Sequence, residues 1–186
     1  SEMREYSQQL KCQGKTIACV TTEGDLHDGH MSLVKIAEEN VDVVVKCFQS
    51  PIPKTLKYAE NWPKNYKNYL IEEEARYQKQ FLKTDLEICR KHKVDVFFHP
   101  SMLDLYPYPV QTITISHKIL NNLNTAAAAS ISWCLDVNIK IWNSVLPDII
   151  IEGQKDIHQT LLMKAFINYF HFPIKKRIGR RTAPLV

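Results

Sequence analysis

The chain has 186 residues, of which 45% are hydrophobic and 24% are charged, and its formal net charge at pH 7 is +4. This length suits one well-buried domain, and so mild a charge argues against nucleic acid as a partner. No apolar run approaches the length of a membrane span, and the polar N-terminus argues against a secretory signal.

Strand and helix patterns alternate along the chain, which predicts an α/β fold with a doubly wound parallel sheet in a single domain, 1–186. The predicted helices cover residues 2–11, about 31–40, 70–92, 132–144 and a stretch from the turn at 153–156 to about 170. The predicted strands cover residues 16–20, 41–48, 94–98, 110–115, 148–151 and a short segment from 174. Residues 49–69, which are polar and contain three prolines, are predicted to be a loop or lid insertion. The alanine-containing stretch 121–130 is predicted to be a loop. For the basic clusters 175–177 and 180–181 a solvated tail is an alternative to the strand predicted from 174.

Cysteine usage indicates a reducing compartment. The five cysteines are widely spaced and include no Cys-x-x-Cys pair, which argues against both a disulfide framework and a zinc site. We therefore expect a cytoplasmic protein with free thiols and no metal bound by the protein. Cys19 and Cys47 fall inside predicted strands and are expected in the core.

The candidate functional stretch is the turn after the first strand, which reads Thr22-Glu23-Gly24-Asp25-Leu26-His27-Asp28-Gly29-His30. A strand, a glycine-containing turn and a helix start place backbone N–H groups at the sheet's carboxyl edge, where α/β proteins bind phosphates. Gly29 allows close approach of a ligand, and the imidazoles of His27 and His30 are suited to donate hydrogen bonds to phosphoryl oxygens. The alternative is that both histidines belong to a surface turn without a ligand.

A second candidate lies at 153–156, Gly-Gln-Lys-Asp. A lysine in the first turn of a helix, after a glycine and a strand, is placed to neutralise phosphates, which singles out Lys155. Asp156 would cap that helix or hold a substrate hydroxyl. Gln159 follows about one turn later on the same face. The alternative is an ordinary helix start with a solvated lysine.

The stretch 24–34, Gly-Asp-Leu-His-Asp-Gly-His-Met-Ser-Leu-Val, resembles the signature of the pantothenate synthetase (pantoate–β-alanine ligase) family. That family belongs to the His-x-Gly-His nucleotidylyltransferases, which have Rossmann-like domains. Further segments resemble the family in the same order: 43–48 with Pro51, 93–101 with 105–107, 146–149 and 153–159.

The resemblance implies a ligase that condenses pantoate with β-alanine through a pantoyl adenylate, using ATP and Mg²⁺ and releasing AMP and pyrophosphate. It implies His27, His30 and Lys155 as catalytic residues and Gln159 as a pantoate contact. The ATP-binding residues that it implies are Thr22, Gly29, His30, Gly153, Lys155 and Asp156. The resemblance also implies small-molecule substrates (ATP, pantoate and β-alanine) as partners, and a homodimer as the typical assembly of the family. No nucleic acid or membrane partner is expected, from the charge and the apolar pattern given above.

The chain departs from the family pattern at several points. Glu23 replaces a methionine and adds a negative charge beside the expected polyanion. Pro53 stands where a pantoate-binding glutamine is expected, and the family's His-Phe-x-Gly segment is not visible near 129–133. The sequence ends at Val186, before the family's Ser-Ser-Arg-Asn stretch and small C-terminal domain, so we expect those phosphate contacts to be missing. Two alternatives therefore stay open: a nucleotidylyltransferase with another acceptor, and a non-catalytic nucleotide-binding relative.

Overall fold

A computed structural model describes residues 1–48, 64–108, 125–153 and 157–179. The helices of these residues are α1 (Glu2–Cys12), α2 (Asp28–Glu38), α3 (Tyr66–Tyr77), α4 (Lys83–Lys91), α5 (Met102–Leu105), α6 (Thr125–Val145) and α7 (Ile157–Tyr169), with a π-helical turn, Gln78–Leu82, joining α3 to α4. The strands are β1 (Ile17–Thr22), β2 (Val43–Phe48), β3 (Val96–Phe98), β4 (Ile149–Gly153) and β5 (Lys175–Gly179).

These strands form one parallel sheet in the order β3-β2-β1-β4-β5. The prediction of a doubly wound parallel sheet is confirmed. Strand β1 is central, and the direction in which strands are added reverses there, since β2 and β3 lie on one side of it and β4 and β5 on the other. In open α/β sheets a crevice for ligands forms at the carboxyl edge of such a reversal.

Both faces of the sheet are covered by apolar side chains, as parallel sheets require. One face packs mainly against α1, α6 and α7 in a cluster that contains Ile17, Leu135, Ile141, Trp142 and Ile150. The other packs against α2 and α4 in a cluster that contains Val20, Val34, Cys89 and Ile151. Cys19 and Cys47 are buried in neighbouring strands, as expected, with their Sγ atoms 3.1 Å apart.

The structure corrects two boundaries. Helix α3 begins at Tyr66, inside the predicted insertion 49–69, of which residues 49–63 lie outside the described residues. Residues 125–130 belong to α6 and not to a loop, because alanine has the highest helix propensity and the run is continuous with the predicted helix.

The basic segment 175–177 is part of the edge strand β5, which confirms the short strand predicted from 174 and excludes a solvated tail for this segment. The Lys176 side chain is only 4% exposed, and its Nζ lies 2.5 Å from Glu152 Oε2 on β4. The predicted strand 110–115 and residues 180–181 lie outside the described residues.

Candidate nucleotide site

The glycine-containing turn lies where the sequence predicts it, between the end of central strand β1 and the first residue of α2. Gly24 and Asp25 both have positive φ angles, 88° and 52°, which reverse the chain within two residues. The turn therefore lies at the carboxyl edge of the sheet, beside the reversal of strand order.

His27 is the N-cap of α2, and its Nδ1 accepts a hydrogen bond from the Gly29 N–H at 3.0 Å. Since Nδ1 is the acceptor, the neutral ring carries its proton on Nε2, which is a donor. The His30 ring stacks on the His27 ring with centroids 3.9 Å apart and an interplanar angle of 28°. The two imidazoles therefore form one surface at the start of the helix.

Gly29 is required by this packing. A Cβ atom at residue 29 would lie 2.8 Å from Cε1 and 3.0 Å from Nδ1 of His27. The 2.8 Å contact is closer than real Cβ atoms adopt and the 3.0 Å contact is tight, so the His27 ring must shift when residue 29 has a side chain. The glycine thus fixes the ring through close contact and a backbone hydrogen bond at once.

Thr22, the last residue of β1, is buried, and its hydroxyl oxygen accepts a hydrogen bond from a lysine of the neighbouring strand. Lys46 on β2 is directly opposite Val20 in the sheet, which places its side chain on the same face as Thr22. Its Nζ lies 2.5 Å from Thr22 Oγ1 and 2.9 Å from the Cys47 carbonyl oxygen. Burial lowers the pKa of Lys46 from 10.5 to about 8, because an ammonium is costly to remove from water.

Asp85 of α4 holds the middle of the turn. This carboxylate is 1% exposed; its Oδ1 accepts the Leu26 N–H at 2.8 Å and its Oδ2 accepts the Tyr77 hydroxyl at 2.7 Å. Burial, and then the hydrogen bond to Asp85, raise the pKa of the Tyr77 hydroxyl, which is therefore a stable donor. Asp85 thereby fixes the residue immediately before His27.

The π-helical turn between α3 and α4 explains how Tyr77 and Asp85 meet. Residues eight apart in a regular α-helix point about 80° away from each other, at about 100° per residue. A π-turn inserts one extra residue into the helix without the usual rotation of about 100°. The angle between the two side-chain directions therefore falls to about 20°. The turn Gln78–Leu82 therefore brings both side chains to one face of the helix.

Of the residues predicted for the site, the structure brings His27, Gly29 and His30 into contact at the start of α2, and it places Thr22 at the end of β1, where the same turn begins. Gly153 ends β4 at the same sheet edge. A Cβ atom added at Gly153 would lie 3.9 Å from Cδ1 of Leu33 on α2. Lys155 and Asp156 lie outside the described residues, as does the side chain of Gln159, although its backbone belongs to α7. Sequence reasoning missed Lys46 and Asp85. A lysine within an apolar strand was the available signal for Lys46.

The described residues contain no group of three or more histidine, cysteine, aspartate or glutamate side chains that could hold a metal ion. Within the same ranges, no helix is both long and apolar enough to cross a membrane.

The parallel sheet, with helices on both faces, defines a Rossmann-like α/β fold. A pantoate–β-alanine ligase from Francisella tularensis, whose structure is described as complexed with β-γ ATP and β-alanine, matches with a TM-score of 0.74. Its sequence is 23% identical, and the match covers 98% of this chain and 66% of that one. A pantothenate synthetase from Thermus thermophilus matches with a TM-score of 0.70 at 18% identity, over 96% of this chain and 61% of that one.

The family model for pantoate–β-alanine ligase matches residues 1–180. A pantothenate synthetase from Geobacillus sp. (strain WCH70) is 31% identical over 176 residues, and one from Thermoanaerobacter sp. (strain X514) is 32% identical over 177. Each match covers 94% of this chain but 57% of the relative. The chain belongs to the pantoate–β-alanine ligase family, and it spans little more than half the length of these relatives.

Proposed function

We propose that this chain binds ATP at the turn between β1 and α2 and contributes to the ATP-dependent condensation of pantoate with β-alanine. The observation that carries the proposal is the stacked His27–His30 pair at the carboxyl edge of a central parallel strand. The family match supports the same activity, and the named Francisella relative was solved with an ATP compound and β-alanine.

The reaction has two steps. The pantoate carboxylate attacks the α-phosphorus of ATP, which forms a pantoyl adenylate and releases pyrophosphate. The β-alanine amine then attacks the acyl carbon, forms the amide and releases AMP. Neither step needs a covalent nucleophile from the protein, so the protein positions the reactants and neutralises charge on the phosphoryl oxygens.

His27 Nε2–H and His30 are the donors that we assign to the phosphoryl oxygens, with the N–H groups at the start of α2. Lys155, with Gly153 and Asp156 around it, is proposed to contact the phosphates from the β4 side, since β4 ends at the same sheet edge. Gln159 is proposed to contact pantoate. Mg²⁺ is proposed to arrive with the triphosphate, because it is usually held by one or two carboxylates and substrate phosphates.

The test is AMP release by the purified protein in the presence of ATP, Mg²⁺, pantoate and β-alanine. We expect release that requires both pantoate and β-alanine. His30→Ala is expected to slow it by about 100-fold or more, the usual cost of removing a donor to a developing oxyanion. His92→Ala, a change at the far end of α4, is the matched control and should leave release unchanged.

The alternatives give different results in the same assay. AMP release or pyrophosphate exchange with another carboxylate or phosphate, and not with pantoate, would indicate a different acceptor. ATP binding with no turnover would contradict the ligase proposal and indicate a nucleotide-binding relative. The exposed Glu23 carboxylate, beside the turn, is the structural feature that favours this last alternative.

A further inference from the structure

Lys46 is out of place in a central strand. Its neighbours along β2 are Val45 and Cys47, and all three are fully buried. Apolar side chains of similar volume usually stabilise such a position as well as a buried ion or better. A buried lysine at this position therefore points to a role beyond packing.

The charge of Lys46 has no close counter-ion in the ranges that the structure describes. No carboxylate among those residues forms an ion pair with its Nζ within 4.0 Å. Asp85, the buried acid on the same face, already uses one oxygen for the Leu26 N–H and the other for the Tyr77 hydroxyl. An anion at the end of β1 would supply the missing negative charge.

The hydrogen bonds of Thr22 show where that anion would bind. Its Oγ1 accepts from Lys46 Nζ at 2.5 Å and from the Gly24 N–H at 3.4 Å. A hydroxyl has two acceptor lone pairs and one O–H donor, so both lone pairs are used. The remaining O–H can act only as a donor, and the described part of the chain offers it no acceptor. An oxygen of an anion at the end of β1 would accept this hydrogen bond and would at the same time balance the charge of Lys46.

We propose that Lys46 is a positioning residue for phosphate: it holds the Thr22 hydroxyl as a donor toward an oxyanion at the end of β1. Its ammonium adds positive charge directly behind that hydroxyl. The proposal rests on the proposed function in taking the oxyanion to be a phosphate of ATP. It differs from the roles of His27 and His30, because Lys46 acts through Thr22 and from beneath the turn.

The experiment compares the wild-type chain with Lys46→Met, Thr22→Val and the double variant by calorimetric titration with ATP, tripolyphosphate and adenosine. Lys46→Met should weaken ATP and tripolyphosphate binding by about 10- to 100-fold, the usual range for a charge-assisted hydrogen bond. Adenosine has no phosphate, so its affinity should change less than about twofold. Lys91→Met removes the same charge from the exposed end of α4 and is the matched control.

The double variant separates a positioning role from an independent one. If Lys46 acts through Thr22, the ATP affinity of the double variant should lie within about threefold of that of Thr22→Val. The proposal would be overturned if the affinity losses of the two single variants multiplied in the double variant. It would also be overturned if Lys46→Met lost affinity for adenosine and ATP equally, or bound ATP as tightly as the wild type. A wild-type chain that does not bind tripolyphosphate would overturn it as well.

Two further measurements are independent of the Lys46→Met variant and of the ligase activity, respectively. The first uses the wild-type chain and so does not depend on the folding of Lys46→Met. The Lys46 side-chain NMR resonances should shift on titration with tripolyphosphate, and unshifted resonances would overturn the proposal. A wild-type chain that binds tripolyphosphate through Lys46 but releases no AMP would contradict the ligase proposal and leave this one standing.

Discussion

The turn that carries His27 is fixed by side chains that lie far from it in the chain. Thr22, His27, Gly29 and His30 could be selected from the sequence because they fall within nine consecutive residues of one pattern. Asp85 could not be selected, because its role depends on a hydrogen bond to a residue 59 positions away and on a π-turn that no local pattern announces. The sequence therefore indicated the residues of the turn itself, and the residues that hold the turn in place were missed.

Gly29→Ala tests the contact between the backbone of α2 and the His27 ring. Alanine stabilises helix interiors over glycine by up to about 1 kcal/mol, so we expect thermal stability to hold or to rise slightly. The added Cβ would lie 2.8 Å from the His27 ring, so the ring must move, and ATP affinity measured by calorimetry should fall by about tenfold or more. Lys35→Ala, an exposed change on the same helix, is the control. Unchanged ATP affinity in Gly29→Ala would show that the stacked histidines do not bind the nucleotide.

At the scale of elements, three aspartates join neighbouring strands at their amino ends. Asp42, Asp95 and Asp148 each directly precede β2, β3 and β4. Their carboxylates accept backbone N–H groups at the start of the adjacent strand, namely those of Thr16, Val44 and Ile17 at 2.8 Å each. The sequence repeats a short apolar-Asp-apolar pattern at these points, but only the strand order shows which strand each aspartate contacts.

Asp42→Asn tests one of these junctions. Hydrogen bonds from the Thr16 backbone and hydroxyl hold the pKa of Asp42 below its ordinary value of 3.8. A carboxyl with a lowered folded-state pKa contributes stability that is present above its unfolded pKa and lost as the pH falls through the folded one. The stability difference between wild type and Asp42→Asn should therefore shrink between about pH 5 and about pH 2, as measured by urea unfolding.

Asp104→Asn, an exposed change on α5, controls for the loss of one charge. A difference between wild type and Asp42→Asn that stays constant, or widens, as the pH falls would contradict this role for Asp42.

The order of elements was predictable because its signals are local. Apolar β-branched runs indicated β1, β2 and β4, and the longest apolar period indicated the helical run from α3 to α4. What could not be predicted is how residues pair across the sheet, such as Lys176 with Glu152. From sequence alone a basic run is typical of a solvated segment, because the acidic residue that pairs with it on a neighbouring strand is not known.

At the scale of the whole molecule, the sheet separates two apolar layers that share the same strands. Ile150 and Ile151 are adjacent on β4, yet they belong to opposite layers because successive strand residues point to opposite faces. Their side chains are 2% and 0% exposed. Since β4 pairs with both β1 and β5, a loss of packing in either layer loosens the same sheet.

This arrangement predicts one cooperative unfolding transition for the chain, although it spans 57% of the length of relatives such as the Geobacillus protein. Ile150→Ala and Ile151→Ala should each cost about 2–5 kcal/mol and lower the Tm by about 4 to 20 °C. Because the strands are shared, far-UV circular dichroism and tryptophan fluorescence should report the same midpoint in both variants. Buried Trp133 and Trp142 belong only to the Ile150 layer. With the third tryptophan of the sequence replaced (Trp62→Phe), their fluorescence is a one-sided probe. If the Ile151 variant lowered the far-UV midpoint and left the fluorescence midpoint unchanged, the two layers would unfold separately. The sheet would then not couple the turn on one face to the helices on the other.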